Sequence, residues 1–333
     1  ADTVRVLGED NPQTLITRHS LARWRGEAGD AAGAVDALAE LLADTVRVLG
    51  EDHPDTLNYR HNLAYWRGVA GDAAGAVDAF AELLADTVRV LGEDHPDTLN
   101  HCHNLAYWRG EAGDAAGAAD AFAELLADRM RVLGEDHPQT LITRHSLARW
   151  RGEAGDAAGA VDALTELLAD TVRVLGEDHP DTLNARYDLA YWLGEAGDAA
   201  GTADAFAELL PDMVRVLGED HPQTLITRHS LARWRGEAGD AAGAADAFAE
   251  LLPDVVRMFG KDHPDTVVFR QNLAAARGEA GDAAGAADAF AELLPDAVRM
   301  LGEGHPDTLE IRHELAYWQG QAGGAAVSPS ADS

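Results

Sequence analysis

The chain has 333 residues, and its 58 acidic and 26 basic residues give a formal net charge of −32. Such a chain is not expected to bind nucleic acid or anionic lipid, which require clustered lysine and arginine, whereas basic partners are compatible with it. Its single cysteine, Cys102, excludes an intrachain disulfide and favours a reducing, cytoplasmic location, and no apolar stretch is long enough to span a membrane.

The sequence repeats with a period of 42 residues. The tetrapeptide Ala-Asp-Thr-Val at Ala43 returns at Ala85 and Ala169, and it also opens the chain at Ala1. A period of this length is typical of a solenoid, in which each repeat buries its apolar face only against its neighbours. We therefore predict one array over residues 1–322. Because Ala1 lies inside a repeat, we interpret the chain as part of a longer protein.

Each repeat is predicted to form two helices, after a partial helix and linker at residues 1–11. The first helix begins at a proline such as Pro54 and ends near residue 67, and His53, or Asn11 in the first repeat, caps it. Gly71 ends the turn in a left-handed conformation and Asp72 caps the second helix, predicted at about residues 73–91. First helices are predicted to begin near residues 12, 54, 96, 138, 180, 222 and 264.

The last predicted helix, near residues 306–319, is a first helix without a partner. It is expected to cap the exposed end of the array, as terminal elements of solenoids do. Residues 323–333 are rich in Gly, Ala and Ser and are predicted to form a disordered tail.

Helical periodicity divides each first helix into two faces. In the second repeat the predicted packing face consists of Leu57, Arg60, Leu63, Ala64, Trp66 and Arg67. The predicted open face consists of Asn58, His61, Asn62, Tyr65 and Val69. On the second helix, the carboxylates of Asp78, Glu82 and Asp86 step by four and predict an acidic stripe facing water. A tryptophan recurs in every first helix except that of the seventh repeat, which has Ala276. These tryptophans could form a binding ladder, but their place at the edge of the packing face favours packing between repeats.

The residues Asn62-Leu63-Ala64, Gly71-Asp72, Ala76 and Phe80 resemble the signature of the tetratricopeptide repeat (TPR). The preceding Leu-Gly-Glu-Asp-His-Pro-Asp-Thr segment is similar to the linker of the 42-residue variety found in kinesin light chains. The resemblance covers essentially the whole chain. It implies an all-α fold, a right-handed α-solenoid superhelix of seven helix pairs plus a terminal capping helix, with ligands bound on the concave face lined by first helices.

The resemblance places the binding groove on the open face of the first helices, where residues vary between repeats while the packing residues stay constant. The predicted groove residues are His19, Arg23, Asn58, His61, Asn62, Tyr65, Asn100, His103, Asn104, Tyr107, His145, Arg149, Asn184, Tyr187, Tyr191, His229 and Arg233. Their mixture of amides, hydroxyls, aromatic rings and arginine favours an extended peptide or a partner helix. Neutral drift at solvated positions is the alternative.

Two other functions remain open at this stage. The combination of Trp in the first helix with Gly-Asp-Ala-Ala-Gly in the turn resembles actinobacterial arrays that are often fused to nucleotide-binding STAND (NB-ARC) domains, which implies a ligand-sensing arm. The near-identical repeats also predict head-to-tail self-association.

Catalysis and metal binding are not expected, and no cofactor is predicted. Histidines form two series, one in the linkers and one in the first helices, and each series recurs once per repeat. Equivalent side chains should therefore lie about 8–10 Å apart, whereas a metal–nitrogen bond is about 2 Å. Caps and groove polarity explain these histidines better than metal ligation does. Each carboxylate has copies in other repeats, which makes it a poor candidate for a unique active site.

Overall fold

The computed structural model describes residues 7–325, and every regular element in that range is an α-helix. The helices are α1 (Pro12–Glu27), α2 (Ala31–Leu49), α3 (Pro54–Val69), α4 (Ala73–Leu91), α5 (Pro96–Glu111), α6 (Ala115–Leu133), α7 (Pro138–Glu153), α8 (Ala157–Leu175), α9 (Pro180–Glu195), α10 (Ala199–Leu217), α11 (Pro222–Glu237), α12 (Ala241–Phe259), α13 (Pro264–Glu279), α14 (Ala283–Leu301) and α15 (Pro306–Ala325). Odd-numbered helices are the first helices of the repeats and even-numbered helices are the second. The all-α solenoid with seven helix pairs and a terminal first helix is confirmed.

The helix boundaries follow the caps that the sequence supplies. His53 Nδ1 accepts a hydrogen bond from the backbone N–H of Asp55 at 3.1 Å, and Asp72 Oδ1 accepts one from Gly75 at 2.9 Å. Gly71 has φ +97°, a conformation that favours glycine and reverses the chain between the two helices. The first helix of this repeat ends at Val69, two residues beyond the predicted end.

The ends of the chain differ from the prediction in one respect. Helix α15 continues to Ala325, past the predicted end at residue 319, so residues 323–325 of the predicted tail are helical. Residues 326–333 of that tail lie outside the described residues. At the start, residues 1–6 of the predicted partial helix also lie outside them, and Leu7 is helical.

Backbone contacts divide the chain into two compact units, Ala1–Asp170 and Thr171–Ser333, called here the N-terminal and C-terminal units. Within each unit, consecutive helices pack against each other. Successive first helices also come into contact: α1 with α3, α3 with α5 and α5 with α7 in the N-terminal unit, and α11 with α13 and α13 with α15 in the C-terminal unit. The prediction of one array over residues 1–322 stays a prediction.

In several repeats the tryptophan of a first helix completes the core of the preceding hairpin. Trp108 packs with Leu57, Ala64 and Phe80, and its indole lies against Gly68 so closely that a β-carbon there would be 2.5 Å from the ring. The tryptophans exposed by less than a tenth are Trp66, Trp108, Trp150, Trp192, Trp234 and Trp318. The packing interpretation is confirmed for Trp66, Trp108, Trp150, Trp234 and Trp318, each of which lies against a glycine of the preceding first helix.

Trp24 is the exception, with 59% of its surface exposed. No described helix lies on the side of α1 where the other indoles find their glycine. The burial of each tryptophan therefore depends on the hairpin that precedes it.

The predicted packing face of the first helix needs correction. Tyr59, which the sequence analysis did not place, is buried against the first hairpin, whereas Arg67 is exposed. The first helix contacts hairpins on both of its sides, so its buried surface is wider than a single face. A helical wheel drawn for one repeat does not show the surface that the neighbouring repeat buries.

The acidic stripe also needs correction, because Asp86 is ion-paired. Its carboxylate lies 2.6 Å from Arg60 Nη1 across the hairpin and 3.0 Å from Arg89 Nη2, and Arg89 also lies 2.6 Å from Asp52. The aspartate of the second helix thus compensates the charge of Arg60 on the first helix. Asp52 and Asp86 are therefore paired with arginines, and they do not present free carboxylates to water.

No helix within residues 7–325 is both long enough and apolar enough to cross a membrane.

Candidate functional site

The predicted groove residues lie at the surface of both units, either exposed or partly buried. The exposed ones are Arg23, Asn58, Tyr65, Asn100 and Arg233. The partly buried ones are His19, His61, Asn62, His103, Asn104, Tyr107, His145, Arg149, Asn184, Tyr187, Tyr191 and His229. Those numbered up to Arg149 belong to the N-terminal unit, and the remainder belong to the C-terminal unit. None of them is sealed in the core.

In the N-terminal unit, three of these residues meet at a cleft of about 500 Å³ between α3 and α5. They are Asn58, His61 and Asn100. The other lining residues are Pro54, Asp55, Leu57, Thr87, Leu91, His95, Asp97 and His101. Two successive repeats therefore build one site from the N-terminal halves of their first helices.

The cleft has an acidic entrance. Asp55 and Asp97 occupy the first turns of α3 and α5, where the helix dipole favours a negative charge. Asp55 lies on the same face as Asn58, three residues later, and the corresponding spacing joins Asp97 to Asn100. Sequence analysis missed both aspartates, although this spacing could have revealed them.

The wall of the cleft carries two histidines that remain neutral near pH 7. The rings of His61 and His101 lie 5.1 Å apart, and His101 Nδ1 is 3.3 Å from Thr87 Oγ1. Burial lowers the pKa of His61, and burial together with His61 and Arg60 lowers the pKa of His101 to about 4. With neutral histidines and two carboxylates, the cleft favours a ligand that brings positive charge or hydrogen-bond donors.

The rings of His61 and His101 are closer than the distance of about 8–10 Å predicted for equivalent histidines, because the two residues occupy different positions in their repeats. The counterpart of His61 is His103, whereas His101 takes the position of Tyr59. Among residues 7–325 there is no group of three or more His, Cys, Asp or Glu side chains arranged to hold a metal ion.

A buried arginine orients one residue of the cleft. Arg129 on α6 is only 1% exposed, and its Nη2 donates to Asn100 Oδ1 at 2.9 Å while its Nη1 donates to Thr143 Oγ1 at 2.7 Å. Desolvation lowers the pKa of this guanidinium. Threonine occupies the equivalent positions Thr45 and Thr87, so this arrangement is specific to the third repeat.

The histidine position of the groove rests on an aromatic ring of the second helix in several repeats. The ring centroid of His61 lies 5.3 Å from that of Phe80, and His103 lies 5.0 Å from Phe122. Burial is the main cause that lowers the pKa of His103, to about 4. In the predicted groove, these side chains would form the floor and the residues beside them the rim.

Two predicted groove residues of the N-terminal unit stack together at the C-terminal end of their helices. The guanidinium carbon of Arg149 is 6.0 Å from the ring centroid of Tyr107 and 5.2 Å from that of Trp150. Its Nη2 also lies 3.4 Å from a carboxylate oxygen of Glu111. The charge of this arginine is therefore already partly compensated within the protein.

In the C-terminal unit the predicted residues bond to the following repeat. Tyr187 Oη lies 2.9 Å from Ser230 Oγ, and His229 Nε2 lies 2.7 Å from Asn272 Nδ2. These contacts hold successive first helices in register. Of the two units, the N-terminal one thus contains the more open set of predicted groove residues.

Comparison with known proteins gives a family and several structural neighbours. The family model described as a tetratricopeptide repeat matches five successive segments, residues 14–55, 56–97, 98–139, 140–181 and 182–223. No match was found among curated protein sequences.

The solved structures that the chain resembles include TPR-like repeats of a protein described as a kinesin light chain from Podosopora anserina. It is 25% identical with a TM-score of 0.53, covering 62% of this chain and 97% of that one. A signal-transduction ATPase with numerous domains (STAND) and a TPR sensor, from Pyrococcus horikoshii, is 10% identical with a TM-score of 0.61, covering 87% of this chain and 43% of that one. A Rap protein complexed with Competence and Sporulation Factor is 11% identical with a TM-score of 0.54, covering 93% and 98%.

Proposed function

Because the chain belongs to the tetratricopeptide repeat family, we propose that it is a non-enzymatic scaffold that holds a segment of another protein against its first helices. Repeats of this family are typically protein-interaction scaffolds. A Rap protein of similar fold has been solved in complex with Competence and Sporulation Factor. In solenoids the binding surface is built from several repeats, each adding a modest contact.

The cleft between α3 and α5 is the observation that supports the proposal most strongly. It is open to solvent, it is lined by side chains of two repeats, and it combines the carboxylates of Asp55 and Asp97 with the amides of Asn58 and Asn100. A lysine or arginine side chain of an extended peptide satisfies these acceptors with charge-assisted hydrogen bonds. The partner is therefore a peptide segment with at least one basic residue.

Variation among repeats supports the same surface. The tryptophan and the glycine that it covers recur with little change, whereas the position of Asn58 is Ile16 in the first repeat and Ile142 in the fourth. Packing residues are thus held constant while the rim of the groove changes from polar to apolar. A rim that varies in this way can select a partner by the order of polar and apolar side chains in the partner's sequence.

Contacts between neighbouring first helices support a groove on that side. In the N-terminal unit the backbones of α1 and α3, and of α3 and α5, come into contact. An extended segment that lies along this side can therefore touch successive repeats. We place the peptide along this side of the N-terminal unit.

Peptide selection tests the proposal with a defined probe. Dodecapeptides selected on the immobilised chain from a random phage-displayed library are labelled, and their affinities are measured by fluorescence anisotropy. The double variant Asp55→Asn/Asp97→Asn should weaken binding at least tenfold because it removes both carboxylates of the cleft.

The matched control is Asp78→Asn/Glu82→Gln, which removes the same charge from the exposed face of α4. It should change the affinity less than twofold. If both double variants lose affinity equally, the effect is due to net charge and not to the cleft. If the selected peptides bind both variants as tightly as the parent chain, the cleft is not the binding site.

The sensor arm and head-to-tail self-association remain alternative predictions. The gene segment upstream of Ala1 should encode a phosphate-binding loop if the chain is the sensor arm of a STAND protein. Light scattering over a concentration series should show a growing mass if copies join end to end, and a constant monomer mass would reject that prediction.

A further inference from the structure

Where successive first helices meet, a tryptophan indole of one helix packs over a glycine of the preceding first helix. A β-carbon built on Gly68 would lie 2.5 Å from the ring of Trp108, and one on Gly278 would lie 2.6 Å from the ring of Trp318. Glycine is required at these positions because the ring occupies the space of any side chain. Each such contact is a slot shaped for an indole.

The slot at Gly236 lacks its tryptophan. The seventh repeat has Ala275 and Ala276 where the second has Tyr65 and Trp66. A β-carbon on Gly236 would have a single neighbour within 4 Å, the β-carbon of Ala244 at 3.4 Å. Helices α11 and α13 nevertheless remain in contact.

A cavity of about 350 Å³ remains in this place, within the C-terminal unit. Its apolar floor is formed by Phe248 and Ala244, and Ala276 stands where an indole would enter. Its polar lining residues are Arg233, Glu237, Asn272 and Glu279. An aromatic ring fits here for the same reason that it fits in the occupied slots of the chain.

The rim of the cavity is acidic. Glu237 and Glu279 both line it, and burial, with Glu237 and Glu314 as further causes, raises the pKa of Glu279. In the described part of the chain, neither Glu237 nor Glu279 forms an ion pair. The Arg233 guanidinium carbon lies 5.1 Å from the Trp234 ring centroid, and its Nη2 lies 3.9 Å from Glu195, so its charge is directed toward the preceding helix.

We propose that the cavity between α11 and α13 is a binding site for a small arylalkylamine, whose indole-sized ring fills the slot at Gly236 and whose ammonium group lies between Glu237 and Glu279. The ring replaces the missing tryptophan, and the amine supplies the positive charge that the two carboxylates lack. This site is separate from the peptide cleft of the N-terminal unit and does not depend on it.

Isothermal titration calorimetry of the full chain with tryptamine tests the proposal. Tryptamine should bind with one site per chain and at least fivefold more tightly than indole-3-acetate, which carries the same ring with a negative charge. The variant Ala276→Trp should lose tryptamine affinity at least tenfold, because its own indole fills the slot. Its thermal unfolding midpoint should be equal to or above that of the parent chain, which shows that the loss is not due to misfolding.

The charge of the rim is tested with Glu237→Gln/Glu279→Gln, which should weaken tryptamine binding at least fivefold. The control variant Asp246→Asn/Glu250→Gln removes the same charge from an exposed face of α12 and should have less than a twofold effect. Absence of tryptamine binding at millimolar concentration, or equal binding by the Ala276→Trp variant, would overturn the site. Equal binding by the two glutamine-containing variants would overturn the role of the carboxylates.

Discussion

The substitution Gly68→Ala should destabilise the protein, whereas Gly236→Ala should leave its stability unchanged or raise it. Both glycines are the penultimate residue of a first helix, so replacing either with alanine brings the same gain of helix propensity, at most about 1 kcal/mol. The two sites differ in what faces them. A β-carbon at Gly68 lies 2.5 Å from Trp108, and one at Gly236 lies 3.4 Å from Ala244.

The clash at Gly68 determines the sign of the difference. A separation of 2.5 Å is about 1 Å short of a normal carbon–carbon contact, so Trp108 or the helix must move. Forcing an additional methyl group into a packed contact costs about 1–3 kcal/mol. We therefore expect Gly68→Ala to be less stable than Gly236→Ala by roughly 1–3 kcal/mol.

Urea unfolding monitored by circular dichroism measures the midpoints of the two variants and the parent chain. Because repeat arrays can unfold in segments, hydrogen exchange with mass spectrometry should also be followed for peptides of α3, α5 and α11. Faster exchange should appear in α3 and α5 of the Gly68→Ala variant alone. Equal midpoints for the two variants would refute the indole slot as the rule that joins successive repeats.

Four other substitutions test three separate parts of the structure. Trp108→Ala should lower the free energy of unfolding by about 3–5 kcal/mol in urea titrations, whereas the exposed Trp24→Ala should change it by less than about 0.5 kcal/mol; similar losses would contradict the packing role. Burial beside His61 and Arg60 lowers the pKa of His101 from 6.5 to about 4. As pH falls, the imidazole of His101 is therefore protonated in the unfolded chain before it is protonated in the folded chain. The free energy of unfolding should therefore fall from pH 6.5 toward pH 4, and His101→Tyr should remove up to about 3 kcal/mol of that loss. Unfolding midpoints at pH 7 and 4.5 measure this difference. A variant whose stability falls with pH as steeply as that of the parent chain would contradict the prediction. Pro211→Ala should raise the thermal midpoint, because the proline inside α10 lacks a helical N–H and costs up to about 3 kcal/mol relative to alanine; a lower midpoint would show that the proline fits without strain.

Helix boundaries could be predicted closely because local residues determine them. Gly71 and Asp72 act within a few residues of their own position, and the structure shows both in the predicted roles. The end of α15 could not be predicted in this way. Gly320 and Gly323 indicate a break, but neither adopts a positive φ, and the helix continues to Ala325.

The candidate site could be predicted only in part, because it forms between repeats. Helical periodicity within one repeat identified Asn58 and His61 as surface residues. It could not show that His101 of the next repeat approaches His61, or that Arg129 on α6 holds Asn100 in place. Asn100 and Arg129 are 29 positions apart in the chain. Both contacts also depend on substitutions that are found in one repeat only.

Site-specific photo-cross-linking tests the central claim most directly, since it records where a bound peptide lies. A photoreactive benzoylphenylalanine is placed at position 58 or 100 on the open face of the first helices, or at position 82 on the exposed face of α4, and each chain is irradiated with a selected dodecapeptide. The account predicts cross-links from positions 58 and 100 that unlabelled peptide competes away, and none from position 82. Cross-linking from position 82 with none from the first helices would contradict it.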